Sequence, residues 1–373
     1  MRMVSLSVII FHVEIVTSGD TRVIKTYHWD FLVKNCDSLT DDFNIVLDNQ
    51  EREAINDIIN QLPPVDLRRL DGSNIFTLVE LAKRHIPERI AAELIEFKRN
   101  SNSYGTLLFR NLPVDASLPP TPEDGSISRA KASSISEYNL LLLMMYLGEP
   151  IAYADEKEGA LIQNICPVKG FEDKQENIGS TYLEFHMEDG FHPHKPDYIG
   201  LYCLRPDHER TAKTASASIH RALPYLSSKT ISLLRQPFYR IRTSSSFSSH
   251  EEDSKYSRLM PVISGDVLEP EMCVDFYMME AINPTATLAL EILKSALILV
   301  TIDCTLVPGD LMIVDNRVCA HARTAFKPHY DGEDRWLQRL FVVQDFRRSR
   351  ESRSGGGHIC VPLSLEFFSH GTP

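Results

Sequence analysis

The densest run of potential metal ligands is Phe185-His186-Met187-Glu188-Asp189-Gly190-Phe191-His192-Pro193-His194. On an extended segment His186 and Glu188 lie two residues apart, so both side chains leave the same face and can converge on one ion. A helical zinc motif of the HExxH kind needs i, i+4 spacing on a helix instead. Two ligands from one strand require a third from elsewhere. His321 is the best candidate, because Gly309 to Arg323 reads as a strand, a turn and a second extended run. Two histidines and one carboxylate with open positions are associated with non-haem Fe(II) oxygenases. The same three residues around a bound water would serve a zinc hydrolase. His192 and His194, beside Pro193 and Lys195, read as loop histidines or as groups behind the ligands.

Arg335 and Arg339 follow in Tyr330-Asp-Gly-Glu-Asp-Arg335-Trp-Leu-Gln-Arg339-Leu-Phe-Val-Val. If Arg339–Gln344 is a strand, the two arginines share parity and reach one interior. The apolar neighbours Trp336, Leu337, Leu340 and Phe341 argue against a surface pair. Buried guanidinium groups are costly unless each meets a carboxylate, and a dicarboxylate cosubstrate with an acidic substrate group would supply both partners.

Such residues need a mainly β framework to carry them. From Gly159 onward short strand-like runs alternate with turns: Ala160–Val168, Tyr198–Leu204, Thr214–Ile219, Phe238–Arg242, Thr301–Val307, Asp310–Asp315 and Arg339–Gln344. This texture favours a β-sandwich or jelly roll over a parallel α/β sheet. Ahead of it the chain reads as mainly helical over Thr40–Leu62, Ile75–Lys83 and Pro87–Lys98, followed by a strand at Gly105–Arg110. A Leu- and Met-rich helix is expected over Ser136–Leu147. Thr243–Asp266 is polar and interrupts the strands where a loop could cover a site. Arg347–Arg353 reads as a solvated, flexible segment before a last strand near Ile359–Leu363. Met1–Val16 reads as a strand, because His12 and Glu14 interrupt any signal-peptide core.

Composition bounds the partners. With 373 residues, 43% hydrophobic and 24% charged, the chain can bury a large core and is neither disordered nor fibrous. A formal charge of −12 repels phosphate backbones and anionic membranes, so neither nucleic acid nor a membrane is expected as a partner. Seven cysteines with no CxxC pair fit free thiols in a reducing cytoplasm.

The whole pattern resembles the clavaminate synthase-like branch of the Fe(II)/2-oxoglutarate dioxygenases, within the taurine dioxygenase superfamily. In its motifs it is similar to the free amino-acid hydroxylases of that branch, which include asparagine and arginine hydroxylases. The resemblance covers roughly Tyr104 to Asp345. It rests on Leu161-Ile-Gln163-Asn, His186-Met-Glu188-Asp-Gly-Phe-His192, Leu201-Tyr-Cys-Leu-Arg-Pro-Asp-His208, Val314-Asp-Asn316 and Tyr330-Asp-Gly with Asp334-Arg335-Trp336.

The resemblance implies an α+β, mainly β fold: a double-stranded β-helix (jelly roll) core with flanking helices. It implies a single domain over 1–373, with 1–103 a mainly helical N-terminal elaboration, 104–373 the core, and 243–275 an active-site lid. His186, Glu188 and His321 would hold Fe(II), and Thr214 and Arg335 would bind 2-oxoglutarate. Gln163, Glu188, Asp275 and Arg339 would bind the substrate, Arg339 through its α-carboxylate, Gln163 and Glu188 near its α-amino group. With O2 as the other cosubstrate, the implied reaction yields succinate and CO2. It hydroxylates an unactivated carbon, Cβ or Cγ, of a free L-amino acid in specialised-metabolite biosynthesis. Asp275 stands where arginine-hydroxylating members carry an aspartate aimed at the guanidinium, which favours arginine or a related polar amino acid. Against this, Arg240 and Arg242 would repel a cation, and no second acidic residue stands beside them. A jelly-roll binding protein without turnover is a further alternative, opposed by the intact ligand set. Oligomeric state is left open.

Overall fold

The computed structural model describes residues 34–35, 43–62, 72–126, 131–247, 255–353, 355 and 357–363. The expected strand Met1–Val16 lies outside the described residues. After β1 (Lys34–Asn35), the first long element is set by a capping box. Asp48 Oδ1 accepts the Glu51 N–H at 2.8 Å and Glu51 Oε2 accepts the Asp48 N–H at 3.0 Å, so helix α1 runs Asn49–Gln61. The helix expected from Thr40 therefore begins later. Residues Asn44–Val46 form strand β2, parallel to β3 (Thr106–Arg110). Helices α2 (Gly72–His85) and α3 (Glu88–Asn100) follow, the latter burying Ile90, Leu94 and Phe97 along one face.

Two sheets carry the rest. The larger has the order β17 (Ile359–Cys360), β4 (Glu149–Tyr153), β16 (Trp336–Val343), β7 (Tyr198–Arg205), β14 (Leu311–Asp315), β3, β2. Strand β5 (Ile162–Ile165) also pairs with β16. The smaller has the order β1, β13 (Ile302–Cys304), β8 (Thr214–Ser218), β15 (Cys319–Arg323), β6 (Leu183–His186). Two hairpin-like pairs stand beside them, β9 (Tyr239–Ile241) with β12 (Met279–Ala281) and β10 (Ile263–Gly265) with β11 (Pro270–Met272).

Alternation along the strands divides the core in two. On β16, Leu337, Phe341 and Val343 share one buried cluster with Ile302, Cys304 and Cys319 of the smaller sheet. Trp336, Leu340 and Val342 face the other way, toward α1–α3 and α4 (Ile135–Met144). Helix α4 passes close over β7: a Cβ at Gly200 would lie 2.8 Å from Met144 Sδ. The site residues belong to the inward face.

One expectation fails at the C-terminal side. Phe346–Ser352 form a 3-10 turn, and Arg353 is buried rather than solvated. Its guanidinium donates to the Phe346 and Gly357 carbonyls and lies 3.5 Å over the Phe346 ring. Among the described residues no helix is long and apolar enough to cross a membrane.

Candidate active site

Strand β15 sets His321 directly opposite His186 at the end of β6, with ring centroids 4.3 Å apart. Two residues past His186, Glu188 brings Oε2 to 3.6 Å from His321 Nε2. One ligand atom from each of the three lies within 4.8 Å of the others. The backbone that carries them is held from both sides. The Met187 N–H donates to the Val274 carbonyl at 2.8 Å, and His186 bridges to Asp275. Buried Asn316 accepts the Glu188 N–H at 2.8 Å and donates to the carbonyls of Glu188 at 3.0 Å and Pro196 at 2.9 Å. The chain then turns through Asp189 in the left-handed region, φ 49°.

The donor chemistry suits a divalent metal. His186 Nδ1 lies 2.8 Å from the Glu184 carbonyl, a partner that holds the proton on Nδ1 and leaves Nε2 as the ligand atom. Burial, then the neighbouring His186, pulls His321 down to about 4, so its imidazole is neutral at physiological pH. Burial pushes the Glu188 carboxyl up, but Arg339, His321 and His186 outweigh it and hold the group below the usual carboxylate range. Among the described residues Glu188 Oε2 is buried without a hydrogen-bond partner, an acceptor left for an ion. His192 and His194 stay outside this set. His192 packs against Tyr153 and Phe247, and its Nδ1 accepts the His194 N–H at 3.0 Å.

Behind the triad, Arg339 is 1% exposed. It donates to Glu188 Oε1 at 2.6 Å, to Glu156 Oε1 and to Gln163 Oε1. Strand β5 places Gln163 opposite Arg339 in register. Glu156 was missed by the sequence reading. It lies in Asp155-Glu156-Lys157-Glu158, a run that looks like a solvated turn, yet it is buried and its Oε2 has no partner among the described residues.

A cavity of about 330 Å³ borders the centre, its wall including Glu156, Asn177, His186, Glu188, Arg242 and Asp275. Asp275 is not a freely solvated loop carboxylate: Oδ1 accepts the N–H groups of Tyr277 at 2.9 Å and Met278 at 2.7 Å. Burial raises its carboxyl, opposed by His186. Ser244 and Ser245 join the wall, whereas Gln163, Arg339, Thr214 and Arg335 do not.

Thr214 and Arg335 form a second group. Arg335 is 5% exposed, and its Nη2 donates to Thr214 Oγ1 at 3.4 Å. Burial pulls its pKa down, and among the described residues no carboxylate forms an ion pair with it. Thr214 pairs in register with Arg323, two residues beyond His321 on β15. The sequence reading passed over Arg323, although its parity with His321 was a usable signal. A further cluster, His208, His329 and Asp331, is exposed. Its rings stack at 4.0 Å and 7°, so their in-plane lone pairs run parallel instead of converging.

Residues 83–341 match the family described as taurine catabolism dioxygenase TauD, TfdA. The chain belongs to this family. It is 38% identical to the L-asparagine oxygenase of Streptomyces coelicolor over 85% of this chain and 94% of that protein. It is 31% identical to clavaminate synthase 2 of Streptomyces clavuligerus, over 82% and 93%. The structure is similar to asparagine oxygenase in complex with Fe(II), 3-hydroxyasparagine and succinate, with TM-score 0.80, 36% identity and coverage of 86% and 100%. As a member of the TauD, TfdA family the protein is an Fe(II)/2-oxoglutarate-dependent oxygenase. The triad and the buried Arg335 fit the iron and the 2-oxo diacid that such an enzyme needs.

Proposed function

We propose that this oxygenase hydroxylates an unactivated carbon, Cβ or Cγ, of a free L-amino acid, arginine or a related polar amino acid, in the cytoplasm. The observation that carries the reading is the pairing of an inward His/Glu/His triad with Arg335, a buried guanidinium whose missing partner is a carboxylate. His186, Glu188 and His321 would hold Fe(II). When bound, iron with 2-oxoglutarate and O2 supplies the oxidant that converts C–H to C–OH, with succinate and CO2 released.

The chain's own task is positioning and exclusion of water. Arg335 and Thr214 orient the far carboxylate of 2-oxoglutarate. Arg339 and Gln163 set the substrate's head group: two carboxylates, Glu156 and Glu188, share one guanidinium, and the excess negative charge suits an α-ammonium. Asp275 receives the polar end of the side chain. Arg242, in the same wall, also favours a neutral carboxamide over a cation, so asparagine is the second reading. We read the two sheets as a double-stranded β-helix in a single domain over 1–373, with 1–103 its N-terminal elaboration. Residues 243–275 act as the lid, a reading supported by Ser244 and Ser245 in the cavity wall.

The test is a panel of free amino acids incubated with Fe(II), ascorbate and 2-oxoglutarate, read by mass and by succinate release. Gain of one oxygen on a polar amino acid is expected. Hydrolysis that proceeds without O2 would favour a zinc enzyme instead.

A further inference from the structure

Arg323 has no role in the reading above, yet its surroundings are those of a ligand-binding group. It is 5% exposed on β15, and as the second residue after His321 it points to the same interior face. Two residues of strand span roughly 6.6–6.8 Å, about the reach of a five-carbon diacid held at the triad. Directly across the pair of strands stands Thr214, the residue whose hydroxyl accepts from Arg335. Both guanidinium groups face one ring, Arg323 at 5.2 Å and Arg335 at 5.9 Å from the Phe326 centroid.

Two cations thus share a buried corner and, among the described residues, neither forms an ion pair, which is unfavourable unless an anion joins them. Among the described residues, the only hydrogen bond of the Arg323 guanidinium is from Nη2 to the Thr181 carbonyl at 2.9 Å, and its buried Nε has no partner. A purely structural arginine in this place would be expected to use that donor. We propose that Arg323 is a second positioning residue for the cosubstrate, joining Arg335 on the far carboxylate of 2-oxoglutarate and setting the preference for a 2-oxo diacid over a 2-oxo monoacid.

The inference rests on the proposed 2-oxoglutarate site, and the experiment separates the two. Anaerobic calorimetry on the Fe(II)-loaded protein compares binding of 2-oxoglutarate with that of 2-oxopentanoate, which lacks the far carboxylate. The wild type is expected to prefer the diacid strongly. Arg323→Gln should weaken 2-oxoglutarate binding about tenfold or more while 2-oxopentanoate stays within about threefold. Arg323→Lys, which keeps the charge and tests the case where the glutamine variant does not fold, should lose a smaller part of the same preference. Equal weakening of both acids, or unchanged preference in both variants while Arg335→Gln loses it, overturns the role of Arg323. A wild-type protein that binds neither acid overturns the underlying reading as well.

Discussion

At the scale of single residues, the triad owes its shape to side chains that do not themselves ligate. Asn316 ties the backbone of Glu188 to that of Pro196 through three hydrogen bonds in a fully buried position. Asn316→Leu should weaken Fe(II) binding about tenfold or more, as loss of an orienting partner does, and cost about 1–3 kcal/mol of stability. Metal titration and urea unfolding measure the two effects. Glu156 is argued from charge. Glu156→Gln leaves Arg339 with one carboxylate, so KM for the amino acid should rise while the affinity for 2-oxoglutarate holds. A parallel rise in both constants would remove Glu156 from the head-group site. His186 and Glu188 could be read from sequence because a strand's period of two brings them together locally. Glu156 could not, because its burial depends on Arg339, which is remote in the chain.

At the scale of elements, close packing carries the geometry. Gly200 lies in β7 between Ile313 of β14 and Leu340 of β16, under Met144 of α4. Gly200→Val should destabilise the fold by about 1–3 kcal/mol, the usual cost of overpacking. It should also lower affinity for the amino acid, because β16 carries Arg339. Thermal melts and substrate titration check this; an unchanged melt would show that α4 can shift freely. Helix and strand types were legible from periodicity. The start of α1 was displaced because the Asp48–Glu51 capping box overrides the apolar pattern that begins upstream. The burial of Arg353 escaped the same reading, since a run of arginines carries no mark of which one finds carbonyls.

For the whole molecule, stability should depend on pH through buried histidine. Burial, then His194, pulls His192 from 6.5 to about 3. Its folded-state pKa is depressed, so the unfolded chain takes up a proton first. The stabilisation is full above 6.5 and is lost progressively as pH falls toward 3. Unfolding followed across this window should show a smaller acid loss in His192→Asn than in the wild type. Fe(II) with 2-oxoglutarate should stabilise the fold through linkage by about 2.7 kcal/mol at a hundredfold excess over Kd, seen as a higher melting temperature that a chelator reverses. The formal charge of −12 and the buried cations belong to the same molecule: acidic residues outnumber basic ones overall, while Arg323, Arg335 and Arg339 are each buried.

Local pattern alone determined the mainly β framework, the His-x-Glu pair and the parity of Arg335 with Arg339, because each depends on spacing within a few residues. His321 was legible as a candidate third ligand from the extended runs around it, whereas the role of Thr214 and the division of labour between Arg335 and Arg339 came from motif resemblance. Only tertiary structure decided which charges lie behind the triad and that Arg323 shares a corner with Arg335. These are contacts between distant strands, set by register across the sheets, and no spacing along the chain encodes them.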